Sequence, residues 1–356
     1  MKTLFLIHKP QARGQEIVAA QLGNHFLQLG HEVVLLSLYG GDFDLNFQGK
    51  HIHFNCSSNI DTILPWQWRR LAKVIKHLKP DLIQANGGDT VKFLALTKFF
   101  FPFPGKLLFN NGGVLSHYLS SNWKRWIYTK LLAPWDAAIS VSRHAQSDLA
   151  QFLPDTCRQI HIPIGIPDRE LPVGPALDFQ VFVHIAGFTP EKNHVELITL
   201  FSEYLKQDPT AQLWLIGEGP LRMEAESLAD QIAFNSIRFF GALSNPWSLV
   251  PQNALLVLPS KIEGMPAVLV ESFLAKIPVI AYGVGGIPEM TSGVNTITLV
   301  EPGNKESFLS AMRYGAKLSR ETIHLELEHS AQLAKERFNL SQIAKQFMEF
   351  YRTVCE

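Results

Sequence analysis

The feature that most constrains the fold is an alternation of short apolar runs with helix-periodic segments. Near the N-terminus, "TLFLIH" has the pattern of a buried strand, "QEIVAAQLGNHFLQL" that of an amphipathic helix, and "EVVLLSL" that of a second buried strand. Strand, helix and strand in this order form a βαβ unit, which implies a parallel sheet. The alternation starts afresh at "FQVFVHIAGF", after the proline-rich and acidic stretch "PDRELPVGPALD". The sequence therefore predicts two successive doubly wound α/β domains.

Chain length agrees with this division, because 356 residues exceed what one hydrophobic core usually supports. We place the first domain at 1–170 and the second at 171–337. Ligands of doubly wound sheets bind beyond the carboxyl ends of the strands. We therefore expect the two domains to face each other across a cleft that holds the functional site.

Composition excludes several classes of protein. The three cysteines are far apart and form no CxxC pair, which favours a reducing cytoplasm, and the N-terminal apolar run is too short for a signal peptide. Residues 1–170 hold 18 basic against 12 acidic side chains, whereas residues 171–356 hold 14 against 20. The isoelectric point near 7.2 argues against a nucleic-acid partner.

The segment "EGMPAVLVES" combines two acids with a glycine and a proline. Gly264 lets a ligand approach the backbone, and Pro266 suits the first position of a helix. The free N–H groups of Ala267 and Val268 would then form an anion site suited to a phosphate. Carboxylates on either side, Glu263 and Glu271, can accept hydrogen bonds from hydroxyl groups. A nucleotide sugar has a diphosphate between two sets of hydroxyls, and it fits this pattern.

With this segment, the chain resembles the retaining glycosyltransferases of family 4, which have the two-domain GT-B fold. The resemblance also rests on "GVGGIPEM", "GEGP" at 217–220 and "PEKN" at 190–193, and on "ARGQE", "LGHEVVLLS", "AISVS" and "IPIGI" in the first half. These motifs cover nearly the whole chain in the family order. The resemblance implies a GT-B protein of two Rossmann-like domains. It also implies that the last helix, at about 338–356, packs back on the first domain.

The resemblance also assigns roles to residues. Glu263 would contact the hydroxyls of the donor sugar, Glu271 the ribose, and the backbone at 265–268 the diphosphate. Lys192 would neutralise the leaving nucleotide diphosphate, on which negative charge develops. The loop around Gly14 would close on the donor phosphates. The remaining donor-binding positions are Gly187, Gly217, Glu218, Ala242, Leu243, Gly264, Met265, Pro266, Ala267 and Val268.

The chain departs from the family pattern at two positions. Gly187 stands where the family often has an arginine, and we consider Arg13 as the replacement for its charge. Asn111 stands where a histidine is common; an amide can bind a sugar hydroxyl but cannot act as a general base. Asp42 and Asp44 form a DxD match that we interpret as a solvated loop. We expect no metal and no cofactor, with a UDP- or GDP-linked sugar as substrate.

The resulting hypothesis is a retaining hexosyltransferase that uses a nucleotide sugar and acts on a surface polysaccharide, lipopolysaccharide or glycolipid. A sugar-nucleotide epimerase of the same fold and a non-catalytic nucleotide-sugar binding protein stay as alternatives. Basic residues alternate with aromatic ones in "WQWRRLAKVIKHLK", "SNWKRWIYTKLL" and "KFFFPFPGK". These stretches indicate either ordinary solvated helices or a peripheral contact with the inner membrane. A lipid-linked or other saccharide acceptor fits the second interpretation.

Overall fold

The protein is described by a computed structural model that covers residues 1–58, 60–233 and 235–356. The chain forms two compact units. The first contains Met1–Pro167 and Leu340–Glu356, and the second contains Asp168–Asn339. The boundary expected from the sequence, between 170 and 171, lies in the same irregular stretch.

The first unit is built on a parallel sheet. Within the described residues its seven strands have the order β3-β2-β1-β4-β5-β6-β7. The strands are β1 (Lys2–Ile7), β2 (Glu32–Tyr39), β3 (Lys50–Cys56), β4 (Leu82–Asn86), β5 (Lys106–Asn111), β6 (Ala137–Ser140) and β7 (Arg158–His161).

Helices cover both faces of this sheet. They are α1 (Gly14–Gln28), α2 (Pro65–Leu78), α3 (Gly88–Phe100), α4 (Asn122–Leu132) and α5 (Arg143–Ala150). Buried side chains of α2, α3, α4 and α5 share one apolar core on one face, while α1 belongs to the core on the other face. Burying both faces explains why the strands are continuous apolar runs instead of alternating ones.

The second unit repeats the design with its own parallel sheet. Its six described strands have the order β10-β9-β8-β11-β12-β13. They are β8 (Val181–Ile185), β9 (Gln212–Ile216), β10 (Ile237–Phe239), β11 (Leu255–Leu258), β12 (Val279–Tyr282) and β13 (Ile297–Val300). The helices are α6 (His194–Leu205), α7 (Arg222–Ile232), α8 (Ala267–Leu274), α9 (Ile287–Met290), α10 (Lys305–Gly315) and α11 (His324–Arg337).

The last helix, α12 (Leu340–Cys355), belongs to the first unit although it follows the second in the chain. It packs against α1, and the ring of Tyr351 lies 5.8 Å from that of Phe26. The Tyr351 hydroxyl donates a hydrogen bond to the side-chain oxygen of Gln84 on β4. None of the helices in the described ranges has the length and hydropathy required to cross a bilayer.

Both sheets therefore have the predicted doubly wound order, and the predicted fold class is confirmed. The strand order reverses between β1 and β4 in the first unit and between β8 and β11 in the second. Loops that leave two such neighbouring strands diverge and open a crevice for a ligand. Each unit thus has one switch point, and the two are described separately below.

Candidate functional site

At the switch point of the second unit, an ion pair joins the loops that follow β8 and β11. Lys192 lies in the first loop, in a 3-10 turn over Pro190–Lys192, and Glu263 lies in the second. The Lys192 Nζ donates a hydrogen bond to Glu263 Oε1 at 2.7 Å. The carboxylate side chain is 6% exposed and the lysine side chain 25% exposed. Two residues 71 positions apart are thus brought together, and the lysine keeps more exposure than the carboxylate.

Further hydrogen bonds fix these two loops to each other. The Lys261 N–H donates to the Glu191 carbonyl at 2.8 Å, and the Asn193 side-chain amide donates to the Pro259 carbonyl at 3.1 Å. Asn193 adopts a left-handed conformation with φ 61° at the start of α6, which asparagine tolerates better than most residues. Two further hydrogen bonds therefore hold together the two loops that carry the ion pair.

A third loop, "GVGGIPEM" after β12, packs directly on the backbone of Glu263. Gly285 has φ +57°, and a Cβ at this position would lie 1.7 Å from the Glu263 carbonyl oxygen. The neighbouring Gly286 N–H donates to the Gly264 carbonyl at 2.9 Å. Only a glycine can occupy position 285, because any side chain would displace the loop that carries the carboxylate. Glu289, on the short helix that follows, is half-buried.

The "GEGP" loop after β9 packs in the same manner on the loop after β8. A Cβ on Gly217 would lie 2.0 Å from the Ala186 carbonyl oxygen, and one on Gly219 would lie 2.5 Å from that of Phe188. The Phe188 N–H donates to the Glu218 carbonyl at 3.0 Å. These contacts set the course of the backbone at the predicted donor positions Gly187, Gly217 and Glu218.

The side chain of Glu218 accepts a hydrogen bond from Arg222 on α7. The loop after β10 is tied to the same region, because the Gly217 N–H donates to the Gly241 carbonyl at 2.8 Å. Ala242 and Leu243 follow in that loop and are exposed and half-buried, respectively. The predicted donor positions of this unit therefore lie in successive loops at one edge of its sheet.

Helix α8 begins one residue later than the sequence pattern predicts. Pro266 has ψ 118° and is the N-cap residue, so the first helical residue is Ala267 and the expectation of Pro266 inside the helix is wrong. The reason is that the Pro266 carbonyl accepts the Leu269 N–H at 3.1 Å from an extended conformation. Ala267 and Val268 keep the N–H groups of a first turn and are half-buried, whereas Gly264 and Met265 are buried.

Glu271 lies in the middle of α8 and is half-buried. The indole N–H of Trp247 donates to its Oε2 at 2.9 Å. Burial raises the pKa of the Glu271 carboxyl, while the Trp247 hydrogen bond and the charge of Arg169 lower it. No hydrogen bond to Oε1 occurs within the described ranges, so this oxygen keeps its capacity to accept from a ligand hydroxyl. Sequence reasoning missed Trp247, because the contact spans 24 residues.

Sequence reasoning also missed a buried polar cluster beside the ion pair. His184 on β8 donates from Nδ1 to the Val257 carbonyl at 2.6 Å, and its ring centroid lies 4.7 Å from that of His194 on α6. Burial lowers the pKa of His184 to about 4 and that of His194 to about 2. In the described chain, His184 Nε2, both ring nitrogens of His194 and the Ser260 hydroxyl have no hydrogen-bond partner. The cluster thus carries neutral imidazoles beneath the Lys192 loop.

The switch point of the first unit has different chemistry. His8 follows β1 and Asp89 begins α3 after β4, and His8 Nδ1 lies 3.2 Å from Asp89 Oδ2. The hydrogen bond from His8 lowers the pKa of Asp89, and Lys92 lowers it further, against the effect of burial. Both side chains are partly exposed. Sequence reasoning missed this pair because the two residues come from separate strand ends.

The three site residues predicted in the first unit differ in their exposure to solvent. Arg13 is the N-cap residue of α1 and Gly14 its first helical residue, and both are exposed. Asn111 is buried at the end of β5, where its amide group contacts the Ser140 hydroxyl at 3.5 Å and the Ala145 carbonyl at 3.4 Å. Its partners are thus internal to the unit.

The neighbouring Asn110 points toward β4 and donates to the Asn86 side-chain oxygen at 2.9 Å. Its own side-chain oxygen is buried and has no partner among the described residues. Alternation along a strand explains why adjacent asparagines face opposite sides of the sheet.

The DxD match, Asp42 and Asp44, lies in the loop that follows β2. Asp44 accepts the Asn46 N–H at 2.7 Å in an exposed loop, as expected for a solvated Asx turn. Among residues with described positions, no group of three or more His, Cys, Asp or Glu side chains could hold a metal ion.

Comparisons with known proteins identify both halves of the chain. Residues 12–169 match the family Glycosyltransferase Family 4, and residues 172–326 match Glycosyl transferases group 1. The chain is 32% identical over 133 residues to the Vi polysaccharide biosynthesis protein VipC/TviE of Salmonella typhi. That match covers 37% of this chain and 23% of the relative.

The chain is also 26% identical over 177 residues to N-acetyl-alpha-D-glucosaminyl L-malate synthase of Bacillus anthracis, with 49% of this chain and 46% of the relative covered. The chain thus spans less than half the length of these two relatives. Among solved structures, Anabaena Alr3699/HepE in complex with UDP-glucose aligns with a TM-score of 0.84 and 18% identity. This alignment covers 99% of this chain and 100% of HepE, and it shows a shared GT-B fold.

Proposed function

Because the chain belongs to the family 4 glycosyltransferases with the GT-B fold, we propose that it transfers a sugar from a nucleotide-sugar donor to a hydroxyl group of a surface saccharide or glycolipid. The proposal includes a UDP- or GDP-linked donor, retention of the anomeric configuration, and transfer that needs no metal. Neutralisation of the leaving diphosphate is the main chemical requirement of such a reaction.

The Lys192–Glu263 pair is the observation that carries this proposal. A carboxylate that is nearly excluded from water holds the ammonium group of Lys192 at 2.7 Å, so the cation is oriented before a ligand arrives. Preorganised charges stabilise a transition state without the cost of reorientation. The fraction of Lys192 that stays exposed leaves its other N–H groups able to reach a phosphate. Glu263 thus positions the lysine and can also accept a hydroxyl of the donor sugar.

The surroundings of the ion pair fit the rest of a nucleotide sugar. The first turn of α8 supplies N–H groups for a phosphate, and Glu271 Oε1 can accept from a ribose hydroxyl. Glycines 217 and 285 bring backbone close to backbone on both sides of the crevice. HepE was solved with UDP-glucose, which supports a UDP-linked donor for this chain.

The acceptor part of the proposal rests on the first unit and on the relatives. His8, held by Asp89, presents a ring nitrogen at the switch point between β1 and β4 and can bind a saccharide hydroxyl. VipC/TviE belongs to the biosynthesis of a polysaccharide, which supports a saccharide acceptor.

A thermal-shift screen with UDP, GDP, ADP and their sugars tests the donor. A ligand present at about one hundred times its dissociation constant adds about 2.7 kcal/mol to the free energy of unfolding. Glu271→Gln is the matched variant, because its amide oxygen still accepts from Trp247 while the charge is lost. We expect one nucleotide series to stabilise the wild type more than this variant. Absence of stabilisation by all of them contradicts the proposal.

Reaction assays then separate the alternatives. Slow hydrolysis of the bound donor without acceptor indicates a transferase, and the anomeric proton signal of the product reports retention or inversion. Conversion of the sugar nucleotide into an epimer without acceptor indicates an epimerase instead. Gly187, which lacks the charge of an arginine, favours the binding-protein alternative; nucleotide binding without hydrolysis or transfer would establish it. Activity in the presence of a chelator tests independence from metal ions.

A further inference from the structure

Helix α4 of the first unit packs on the core with one side and exposes two tryptophans on its surface. Of its 11 residues, Asn122–Leu132, the structure buries Leu132 while Trp123 and Trp126 stay exposed. Trp123 is 67% exposed, and its ring stacks on that of Trp126 with centroids 5.4 Å apart. Isolated helices of this length are marginal in water. An external apolar environment would bury the two tryptophan rings that the fold itself leaves exposed.

The neighbouring helices of the same layer also expose large apolar side chains. The α3 helix packs against both α2 and α4, and all three share one core beneath them. At the end of α3, Phe99 is 77% exposed and contacts Phe100, which stacks on Trp68 of α2 at 4.8 Å. Other large apolar residues exposed here are Ile60, Ile63 and Trp66. We call the outer surface of α2, α3 and α4, with the turn before α2, the aromatic–basic face.

Cations alternate with these aromatic residues. The exposed basic side chains of α2 are Arg69, Arg70, Lys73 and Lys76, and those of α4 are Lys124, Arg125 and Lys130. Neither helix contains an acidic residue. The α3 residue Asp89 is already held by His8 and Lys92. The turn before α2 contributes one acid, Asp61, so the basic residues outnumber the acids and the aromatic–basic face is positively charged as well as apolar.

Exposed aromatic residues are concentrated on this face. In the described part of the second unit the exposed large apolar residues are spread over five elements, with two of them on α7, and include no tryptophan: Val195, Met223, Ile232, Leu299, Tyr314 and Leu325. Scattered residues of this kind are normal for a protein surface, whereas a concentration of them marks an interaction site.

We propose that the aromatic–basic face docks the protein on an anionic lipid bilayer. Tryptophan prefers the boundary between lipid headgroups and acyl chains, and lysine and arginine extend to anionic headgroups from there. Each such cation near an anionic surface adds to the attraction, and the effect falls off within a Debye length. The centre of a protein–protein interface is instead depleted of lysine, so the charge pattern favours lipid over a protein partner. Docking is independent of the transferase proposal and can be tested without activity.

Flotation of the intact protein with vesicles tests the proposal. We expect binding to phosphatidylcholine vesicles that contain phosphatidylglycerol, weak binding to phosphatidylcholine alone, and loss of binding at high salt because ions screen the attraction. The variant Trp123→Ala/Trp126→Ala should lower the partition coefficient by about tenfold, since the rings provide the apolar contact. Lys124→Gln/Lys130→Gln should lower it on anionic vesicles only.

The second unit offers a matched control, Met223→Ala/Leu325→Ala, which removes two residues that are 83% and 78% exposed. This variant should bind vesicles like the wild type. An equal loss in the control, or no binding of the wild type to anionic vesicles, overturns the proposal. If the tryptophan variant instead changes the concentration dependence of sedimentation, the face joins two copies of the chain and the lipid proposal is wrong. Unchanged urea midpoints show that all variants fold.

Discussion

The two switch points have the same strand order but differ in how their loops are held. In the second unit, two glycines pack directly against the backbone of a neighbouring loop. Added Cβ atoms on Gly217 and Gly285 would lie 2.0 and 1.7 Å from carbonyl oxygens. In the first unit a Cβ on Gly41 would also meet backbone, 2.2 Å from the Pro10 carbonyl oxygen, but one on Gly112, after β5, would meet the end of the Gln15 side chain at 3.5 Å. Backbone cannot move aside as a flexible side chain can. The fold thus fixes where a ligand binds, while loop packing decides whether that site is rigid or adaptable.

The ion pairs at the two switch points also differ in how tightly they are held. Lys192 and Glu263 meet at 2.7 Å with the carboxylate nearly excluded from water, whereas His8 and Asp89 meet at 3.2 Å with both side chains partly exposed. A rigid site suits the donor, whose leaving group must be met by preorganised charge. An adaptable site suits an acceptor.

Removal of the Lys192 charge should have the largest effect. We expect Lys192→Ala to lower kcat by roughly a thousandfold, which is the loss typical for one preorganised transition-state contact. Steady-state transfer assays at saturating donor measure this. His8→Ala is the comparison, because it removes an imidazole from the other switch point. A loss of less than about tenfold for Lys192→Ala would show that another group neutralises the charge of the leaving diphosphate.

Substitution of a close-packed glycine should have the next largest effect. Gly285→Ala forces a non-glycine residue to adopt φ +57° against the Glu263 carbonyl, and we expect it to lower the free energy of unfolding by about 3 kcal/mol. Gly112→Ala should change it by less than about 0.5 kcal/mol, because an ordinary contact with Gln15 is formed. Urea unfolding compares the two. Equal effects would show that the second site is no more rigid than the first.

The buried histidines predict a pH dependence of the second unit. The folded pKa of His194, about 2, is below the unfolded value of about 6.5, with burial as the main cause and His184 and Lys192 contributing. The unfolded chain therefore binds more protons between these values, and stability falls as pH decreases through that window.

From pH 7 to pH 5 we expect His194 to account for a loss of about 2 kcal/mol. His194→Phe, which keeps a ring to stack on Phe188, should reduce the pH dependence by that amount. Denaturant titrations at both pH values measure the difference. The same slope in the variant and the wild type would mean that His194 is not buried in its neutral form.

Loss of an acceptor contact should have the smallest effect. We expect His8→Ala to raise the acceptor KM by about tenfold, the value of one hydrogen bond worth about 1.4 kcal/mol. Donor hydrolysis in the absence of acceptor should stay unchanged, and Asp89→Asn, which leaves the imidazole in place, should change the acceptor KM less. An altered donor KM in His8→Ala would contradict the separation of the two sites.

The sequence was sufficient to predict the fold class and the main chemical motif. Apolar runs alternating with helical periodicity required parallel sheets, and the comparisons confirm the family. Local signals also accompany some helix limits in the structure, such as Ser142, whose hydroxyl caps α5 by accepting from the Ala145 N–H. Pro266 shows the limit of this reasoning, because proline suits both the N-cap and the next position.

Contacts across long stretches of chain could not be predicted. Trp247 on Glu271 and His8 on Asp89 join residues from different elements, and His184 meets His194 only because the loop after β8 folds back. The sequence pattern also predicted that Asn111 is a site residue. In the structure its amide contacts Ser140 and Ala145 inside the first unit. Which of two adjacent asparagines faces a crevice depends on strand register, and the local pattern does not determine that.

The sequence by itself determined two doubly wound domains and the residue types of the donor motif, because periodicity, glycines and acids are local properties of the chain. Tertiary structure decided that Lys192 meets Glu263, that Gly285 supports that carboxylate, and that the tryptophans of α4 stay outside the core. The physical reason is that these outcomes depend on which strands become neighbours. Neighbouring strands are selected by packing of the whole sheet and its helices.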